Sequence, residues 1–533
     1  PHYWNELWLN EAFATWLSDK AIAAWQPTRA REVLDIADKS TAFAIDHGNS
    51  GRLVRQTMKT RQEVRDAFDA ITYRKGGALL TMLEAWLGDD VMQQGVRAYL
   101  HKHQGGSVVA DDLLASFRQV APDKKVDAIV SSFLHIPGIP LLTLRLRCDK
   151  RPQVTLTQSR YRPLRFRGDA KAKLWQLPVC LRYPSEGGTI RECTLLSKQQ
   201  KTLTLKGAQC PEWILPNEGE SGYYHYDLPP ALLRKLSQRE LDPREQLGLA
   251  HNIAAGLRSG TLSLSDAMPL LQPLAQTGAT SVQELLVPLL YEISLALIGP
   301  DERPAFQGMV KSWYGERMES SGLTPSPGEP SDTTLLRPIL LLTLADLGAD
   351  RSLQARAYAL VDRWLLRSER MSPALLDALL ETAAIAGDQK LATRYIEKLS
   401  TTDDQQHLAI LIGALHGFTA SDILENSLER SLRRQIPLRA IIPVLSRMMA
   451  HRQLRERIAG TLAKHGNESF VALSPLLIGL CDNEGKALVY KLEGPKPETA
   501  SVIEAIDGCM NFAAAQRKSS QVYFAPKKAK PSE

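Results

Sequence analysis

The spacing of apolar residues changes twice along this chain, and the two changes divide it into three parts. Before residue 137, apolar residues recur at helical spacing, as in segments 6–24, 71–87, 91–102 and 110–120. After a break at 135–140 the pattern alternates between apolar and other residues, which is typical of strands with one buried face. From residue 229 the helical pattern returns. We therefore predict a multidomain α+β protein with domains at 1–136, 137–228 and 229–516.

The second and third parts each favour one architecture. Short strand patterns separated by turn residues predict a small antiparallel β-sandwich in the second part, at 142–147, 154–157, 174–182, 189–196, 202–205, 213–215 and 223–227. Helical segments joined by short loops predict a solenoid-like array of paired helices in the third part, at 244–259, 264–276, 281–298, 334–346, 352–367, 373–386, 390–399, 407–415, 420–431 and 498–516. Residues 517–533 are predicted to be a disordered tail.

The composition is that of a globular protein and excludes few function classes. With 533 residues, 44% of them hydrophobic and 23% charged, the chain is too long for one core. We find no run of 18 apolar residues, and so predict no transmembrane segment. Eleven Lys and Arg residues lie between Arg145 and Arg182, against Asp149 and Asp169 alone. A nucleic-acid or membrane-surface patch would explain them, but without a nucleic-acid motif exposed strand positions are favoured, and no nucleic-acid partner is predicted.

The cysteines leave the cellular compartment open. Six are present and no C-x-x-C occurs, which argues against a zinc ribbon or a redox motif, at positions Cys148, Cys180, Cys193, Cys210, Cys481 and Cys509. The cysteines at 180, 193 and 210 form one group, and those at 481 and 509 form another. An extracytoplasmic protein would form disulfides within each group, whereas a cytoplasmic one would keep buried thiols. The pattern leans slightly toward the periplasm or exterior, with the cytoplasm as the alternative.

Two motifs in the first part carry chemistry. In W-N-E-L-W-L-N-E-A-F-A at 4–14, Glu11 lies within an apolar helix expected to be buried on most sides. A buried unpaired carboxylate is costly, so Glu11 needs a cation, a metal or several donors as its partner. The second motif, D-A-I-T-Y-R-K-G-G-A at 69–78, contains Tyr73 before Gly76 and Gly77, which let another backbone approach closely. Taken alone, Glu11 is interpreted as a salt-bridged acid, and Tyr73 is interpreted as a packed core residue.

Two neighbours of these residues have simpler interpretations. Lys75 could contact a substrate, but a solvated helix cation is favoured. Asn10, beside Glu11, either orients the site through its amide or has an ordinary cap or surface role.

Together, in this order and about sixty residues apart, the two motifs resemble the zinc-dependent aminopeptidases of the gluzincin type, which include alanyl aminopeptidase (aminopeptidase N). That family has H-E-x-x-H, then eighteen residues, then a Glu inside L-N-E-G-F-A, and later a Tyr inside I-T-Y-x-K-G. Ala12 stands where the family has Gly. The resemblance implies that 1–136 is the C-terminal helical part of a thermolysin-like catalytic domain. It also implies that Glu11 is the third ligand of one zinc ion, and that Tyr73 is the phenol that stabilises the reacting oxyanion.

The other two zinc ligands of that pattern are not in this sequence. Residues 1–10 supply ten of the eighteen spacer positions, so we expect a C-terminal fragment whose nearer His ligand lies nine positions before Pro1. The eleven His residues include no pair at i, i+4, and His101 and His103 point to opposite sides of a helix. We expect the parent protein to release N-terminal amino acids from peptide substrates, and this polypeptide alone to be inactive. The alternative is a non-catalytic relative that serves as a scaffold for peptides or proteins.

Overall fold

A computed structural model of the chain describes residues 4–25, 34–46, 52–164, 173–207, 209–367, 369–432, 455, 479–494 and 497–525. These residues form two compact units, the first covering 1–274 and the second 275–533. The described part is mainly helical, with small sheets between residues 140 and 227 and a large helical C-terminal region. The predicted domain boundaries at 136 and 228 stay predictions.

The first unit begins with helices. A 3₁₀ turn at Trp4–Glu6 is followed by helices at Leu7–Trp25 (α1), Leu34–Asp46 (α2), Arg61–Asp66 (α3), Gly76–Leu87 (α4), Asp89–Lys102 (α5), Ala110–Val120 (α6) and Val126–His135 (α7). The apolar stripe of α4, with Leu79 and Leu83, is buried because α4 packs against α1, α2, α5 and α7. Two expectations were wrong. Segment 71–87 is not one α-helix, since Ile71–Lys75 forms a π-helical turn before α4. Helix α1 is buried only in its first half, and Trp25 at its end is 78% exposed.

The β-strands follow at Pro140–Cys148 (β1), Pro152–Arg160 (β2), Leu177–Ser185 (β3), Gly188–Leu196 (β4), Gln200–Thr204 (β5) and His225–Asp227 (β6). They form a four-stranded sheet in the order β5-β2-β1-β6 and a separate β3–β4 hairpin. The predicted alternation is present in β1, where Leu142 and Leu144 are fully buried. The arrangement is not purely antiparallel, because β6 returns after a long connection and joins the edge of β1 in parallel. Segment 213–215 is not a strand, and forms a single bridge between Leu215 and Arg182.

The basic stretch of the second part lies partly on these strands. Arg145 and Arg147 are exposed on β1, where they pair with Asp227 and Asp149. They therefore occupy solvated strand positions, as favoured from the sequence. Residues 165–172, which carry three of the other cations, lie outside the described part of the chain.

All six cysteines are paired in disulfides. Cys180 and Cys193 face each other across the β3–β4 hairpin, and Cys481 pairs with Cys509. Cys148 at the end of β1 pairs with Cys210. The sequence grouping placed Cys210 with the hairpin cysteines, whereas the sheet brings it to Cys148.

Three further helices complete the first unit, at Pro230–Ser237 (α8), Pro243–Ser259 (α9) and Leu264–Ala275 (α10), the last of which runs to the unit boundary. Helix α9 contacts both α2 and β6. It therefore ties the helical start of the unit to its sheet.

The second unit is built from helix pairs. The helices in the described part of this unit are Thr280–Leu297 (α11), Arg303–Ser321 (α12), Ser331–Ala345 (α13), Arg351–Arg367 (α14), Pro373–Ile385 (α15), Gln389–Thr401 (α16), Gln405–Ala414 (α17), Ser421–Leu432 (α18), Asn483–Glu493 (α19) and Pro497–Tyr523 (α20). Helices α11, α13, α15 and α17 contact one another in sequence order, and α12, α14 and α16 each pack against the helix that follows. Helix α20 includes residues 517–523, which the sequence analysis assigned to a disordered tail.

Helix α11 is long and apolar enough, by length and composition, to cross a membrane, which the search for apolar runs in the sequence did not reveal. It contacts α13 and α20. Residues spaced along one face, such as Val282, Leu286 and Ile293, are fully buried. This packing is that of a core helix, which passes the same test.

Candidate functional site

The two motif residues come together in the first unit. Glu11 lies in the second turn of α1, and Tyr73 lies at the centre of the π-helical turn. The Tyr73 hydroxyl lies near the Glu11 carboxylate, and both side chains are half-buried. Burial is the main cause that raises the pKa of Tyr73 above its ordinary value, and the neighbouring Glu11 carboxylate adds to it. The expectation that Glu11 has a cation, a metal or several donors as its partner stays a prediction.

The glycines of the second motif allow α1 to approach the start of α4 closely. A Cβ atom added at Gly76 would lie 2.6 Å from the Cβ of Ala12, and one added at Gly77 would lie 3.2 Å from Cγ2 of Thr15. Helix α1 can therefore lie directly on the start of α4. Ala12 is fully buried in this contact, and its methyl group fits because Gly76 opposite has none.

The N-terminal end of the π-helical turn is held by Asp69. Its Oδ1 accepts hydrogen bonds from the backbone amides of Ile71 at 3.0 Å and Thr72 at 3.1 Å. The guanidinium of Arg52 pairs with both oxygens of the same carboxylate. Nη2 of Arg52 also donates to Oγ1 of Thr72 at 2.7 Å. The sequence analysis missed Arg52, because no local pattern links it to Asp69.

The C-terminal end of the turn is held by Lys75, which is fully buried. Its ammonium lies 2.8 Å from a carboxylate oxygen of Asp46, at the end of α2. Asp46 also accepts hydrogen bonds from the backbone amide of Gly138 at 2.9 Å and from the Tyr223 hydroxyl at 3.0 Å. The prediction of a solvated helix cation was therefore wrong. Its partner lies on α2, a helix that the sequence analysis did not identify, so nothing indicated a buried pair.

Other charged side chains lie close to the site. Arg74 pairs with Asp38. Asp19, two turns after Glu11 on α1, has its pKa raised to about 6 by burial and by the charges of Asp38 and Asp35, an effect that Arg74 partly offsets. Asn10 is exposed on α1.

Glu6, in the same motif as Glu11, is a second carboxylate that the sequence analysis passed over. It is buried, pairs with Arg55 and accepts from the backbone amide of Ala110 at 3.2 Å. Its position in an apolar motif was the available signal. The contacts give it a structural task, which is to join the start of α1 to the start of α6.

The described residues supply only part of a zinc site. Glu11 provides a carboxylate, a ligand that zinc accepts, but a hydrolytic zinc ion takes three protein ligands. Within the described ranges no group of three or more His, Cys, Asp or Glu residues is placed to hold a metal ion. His103 faces Asp112 at 3.8 Å at the end of α5 and makes no such group with His101. A complete zinc site does not fit this set of donors.

Comparisons with known proteins agree on one family. The model of the peptidase family M1 domain matches residues 1–133, and that of the ERAP1-like C-terminal domain matches residues 213–471. Among curated relatives, Aminopeptidase 2 of Candida albicans is 23% identical over 89% of this chain and 51% of its own length. Aminopeptidase N of Lactococcus lactis subsp. cremoris is 26% identical over 66% of this chain and 42% of its own length. Aminopeptidase M1-C of Oryza sativa subsp. japonica is 25% identical over 66% of this chain and 40% of its own length. The chain thus spans about half, or less, of each relative.

Proposed function

The chain belongs to the M1 family of peptidases, and on that premise we propose that it is part of a zinc-dependent aminopeptidase. The protein releases N-terminal amino acids from peptides. The observation that carries this proposal is the proximity of Tyr73 to Glu11, two residues that both lie within the matched M1 domain. Helices α1 to α7 are then the C-terminal part of a thermolysin-like catalytic domain.

In this proposal each of the two residues has one task. Glu11 would be one of three protein ligands of a zinc ion, and two His residues that do not belong to this sequence would be the others. A zinc ion held there would polarise the scissile carbonyl and acidify water. The Tyr73 hydroxyl donates a hydrogen bond to the oxygen on which negative charge develops. Because that charge exists mainly in the transition state, the hydrogen bond strengthens there and accelerates the reaction.

The test of this assignment is Tyr73→Phe in the longer protein that contains this chain. Loss of one oxyanion donor is expected to lower kcat by about 10²–10³-fold with little change in KM. Tyr224→Phe is the control, since it removes a buried hydroxyl that donates to the carbonyl of Pro216 away from Glu11. An unchanged kcat in Tyr73→Phe would contradict the role. A longer protein without any peptidase activity would instead favour the non-catalytic scaffold.

We also propose that this 533-residue polypeptide is inactive by itself. One carboxylate leaves most coordination positions of zinc to water, so tight binding is not expected. Metal analysis after dialysis against zinc, together with a fluorogenic alanyl substrate, measures this. One zinc per chain accompanied by turnover would overturn the proposal.

A third proposal concerns the compartment. Three disulfides that use all six cysteines are typical of an oxidising environment, so we place the protein in the periplasm or exterior. Alkylation of the protein isolated from its native cells, with and without prior reduction, gives the number of free thiols by mass. Six labelled thiols without reduction would place it in the cytoplasm.

A further inference from the structure

Tyr73 is carried by an unusual element. The turn Ile71–Lys75 is π-helical, a conformation that is rare, short and often found at functional sites. An α-helix would present Tyr73 in a different direction, because π-helical hydrogen bonds join residue i to i+5 rather than i+4. Something outside the turn must therefore favour this conformation.

One side chain, that of Arg52, contacts several groups at the N-terminal end of the turn. Arg52 pairs with both oxygens of Asp69, donates to the Thr72 hydroxyl at 2.7 Å and reaches the carbonyl of Ala67 at 3.4 Å. Its side chain is only 16% exposed, and that of Asp69 31%, so this ion pair is partly screened from water. Among the described contacts, none joins Arg52 to Glu11 or to Tyr73. Every one of these three acceptors belongs to the segment that leads into Tyr73.

The remaining contacts show what Arg52 adds. Without it, Asp69 would still accept the amides of Ile71 and Thr72, so the turn would still begin at the same residue. What would be lost is the tether between this turn and the segment at residue 52. The far end is anchored separately by Lys75 and Asp46. The tether at Arg52 therefore controls the orientation of the turn rather than its existence.

We propose that Arg52 is a positioning residue, which acts through Asp69 and Thr72 to hold the turn in the orientation that brings the Tyr73 hydroxyl to Glu11. Its consequence for catalysis rests on the proposed function of Tyr73. A displacement of about 1 Å at a reacting group can cost about 10²-fold in rate. Because Tyr73 projects from the turn on a long side chain, a small rotation of the turn is enough.

The geometric part is tested on this 533-residue chain, without any need for activity. The fourteen tyrosines are replaced by 3-fluorotyrosine, and the ¹⁹F signal of Tyr73 is assigned by its loss in Tyr73→Phe. In Arg52→Met we expect the Tyr73 signal to shift or split, and in Arg52→Lys to return part of the way. Arg394→Met is the matched control, since Arg394 and Asp362 form a similarly exposed pair in the second unit. A Tyr73 signal that is the same in Arg52→Met and in the parent chain overturns the proposal.

The catalytic part is tested in the longer protein by a double-mutant cycle. Arg52→Met should lower kcat by about 10²-fold with KM nearly unchanged. In a Tyr73→Phe background the same change should have no further effect, because the residue through which it acts is gone. Full additivity would show a merely structural role and overturn the proposal. If Arg52→Met does not fold, Asp69→Asn replaces it in the same cycle. The Asn side chain keeps an oxygen that can accept from the backbone amides of Ile71 and Thr72, but it no longer forms an ion pair with Arg52. An unchanged kcat in Tyr73→Phe alone would refute the proposed function, and the fluorine experiment would still decide the geometry.

Discussion

The interior of each of the two units is stabilised by a different kind of interaction. In the first unit, charged side chains are buried in pairs that join separate elements, among them Glu6, Lys39, Asp46, Lys75, Glu220 and Glu245. In the described part of the second unit, buried charge is confined to Arg337 and Arg455. Its helices pack instead through apolar faces, such as Leu376, Leu379 and Leu380 on α15. Directional contacts thus dominate where Tyr73 is placed, and non-directional ones dominate in the helix array.

The pair of Lys39 and Glu220 shows the cost of such contacts. Their charged atoms lie 2.8 Å apart, and the Lys39 ammonium also donates to the backbone carbonyls of Glu220 and Gly222. Burial lowers the pKa of Lys39 and raises the pKa of Glu220, while their mutual attraction opposes both shifts. Buried pairs often contribute little net stability compared with apolar packing. The pair instead fixes a position. Each buried charge requires an opposite charge beside it, and this requirement holds α2 against the loop before β6.

Among the changes that test this comparison, Lys75→Met is expected to lower the stability of the protein most. It leaves Asp46 buried without its cation, and breaking a buried pair from one side costs about 3–5 kcal/mol. Hydrogen exchange in peptides of α2 and α4, read by mass spectrometry, measures the loss within the first unit. Lys20→Met is the control, because Lys20 is largely exposed and its pair with Glu84 should contribute less than about 1 kcal/mol. Equal effects of the two changes would remove the distinction drawn here.

A smaller effect is expected from Leu379→Ala in α15. The side chain is fully buried, and its truncation leaves a cavity that costs about 3 kcal/mol. Faster exchange should be confined to the second unit, in peptides of α13, α15 and α17. Leu366→Ala, at a position 72% exposed, should change stability by less than about 0.5 kcal/mol. Faster exchange that reached α2 and α4 would show that the two units do not unfold independently.

The smallest effect is a pH dependence at Asp19. Its folded-state pKa of about 6 lies above the ordinary 3.8, so the folded state binds more protons between these values. Its contribution to stability therefore falls as the pH rises from about 4 to about 6. Asp19→Asn should be more stable than the parent at pH 7 by about 1 kcal/mol, after allowance for solvent screening, and equal to it near pH 4. Urea denaturation at the two pH values measures the difference, and a variant less stable at pH 7 contradicts the assignment.

Local sequence determined much of this protein. Alternation around Leu142 and Leu144 placed β1, and helical spacing placed most helices of the second unit within a few residues of their ends. Both predictions succeed because the residues on the buried face of a strand or a helix recur at a spacing that is typical of that element. The two motifs also singled out Glu11 and Tyr73, and the structure places these residues near each other.

Contacts between elements were decided by tertiary structure alone. The pairing of Lys75 with Asp46, the tether of Arg52 to Asp69, the parallel entry of β6 and the partner of Cys148 all join residues distant in sequence. Local periodicity reports which face of an element is buried, but not which other element covers it. The π-helical turn belongs to the same class, because the spacing of its residues predicted an α-helix and nothing local distinguished the two conformations.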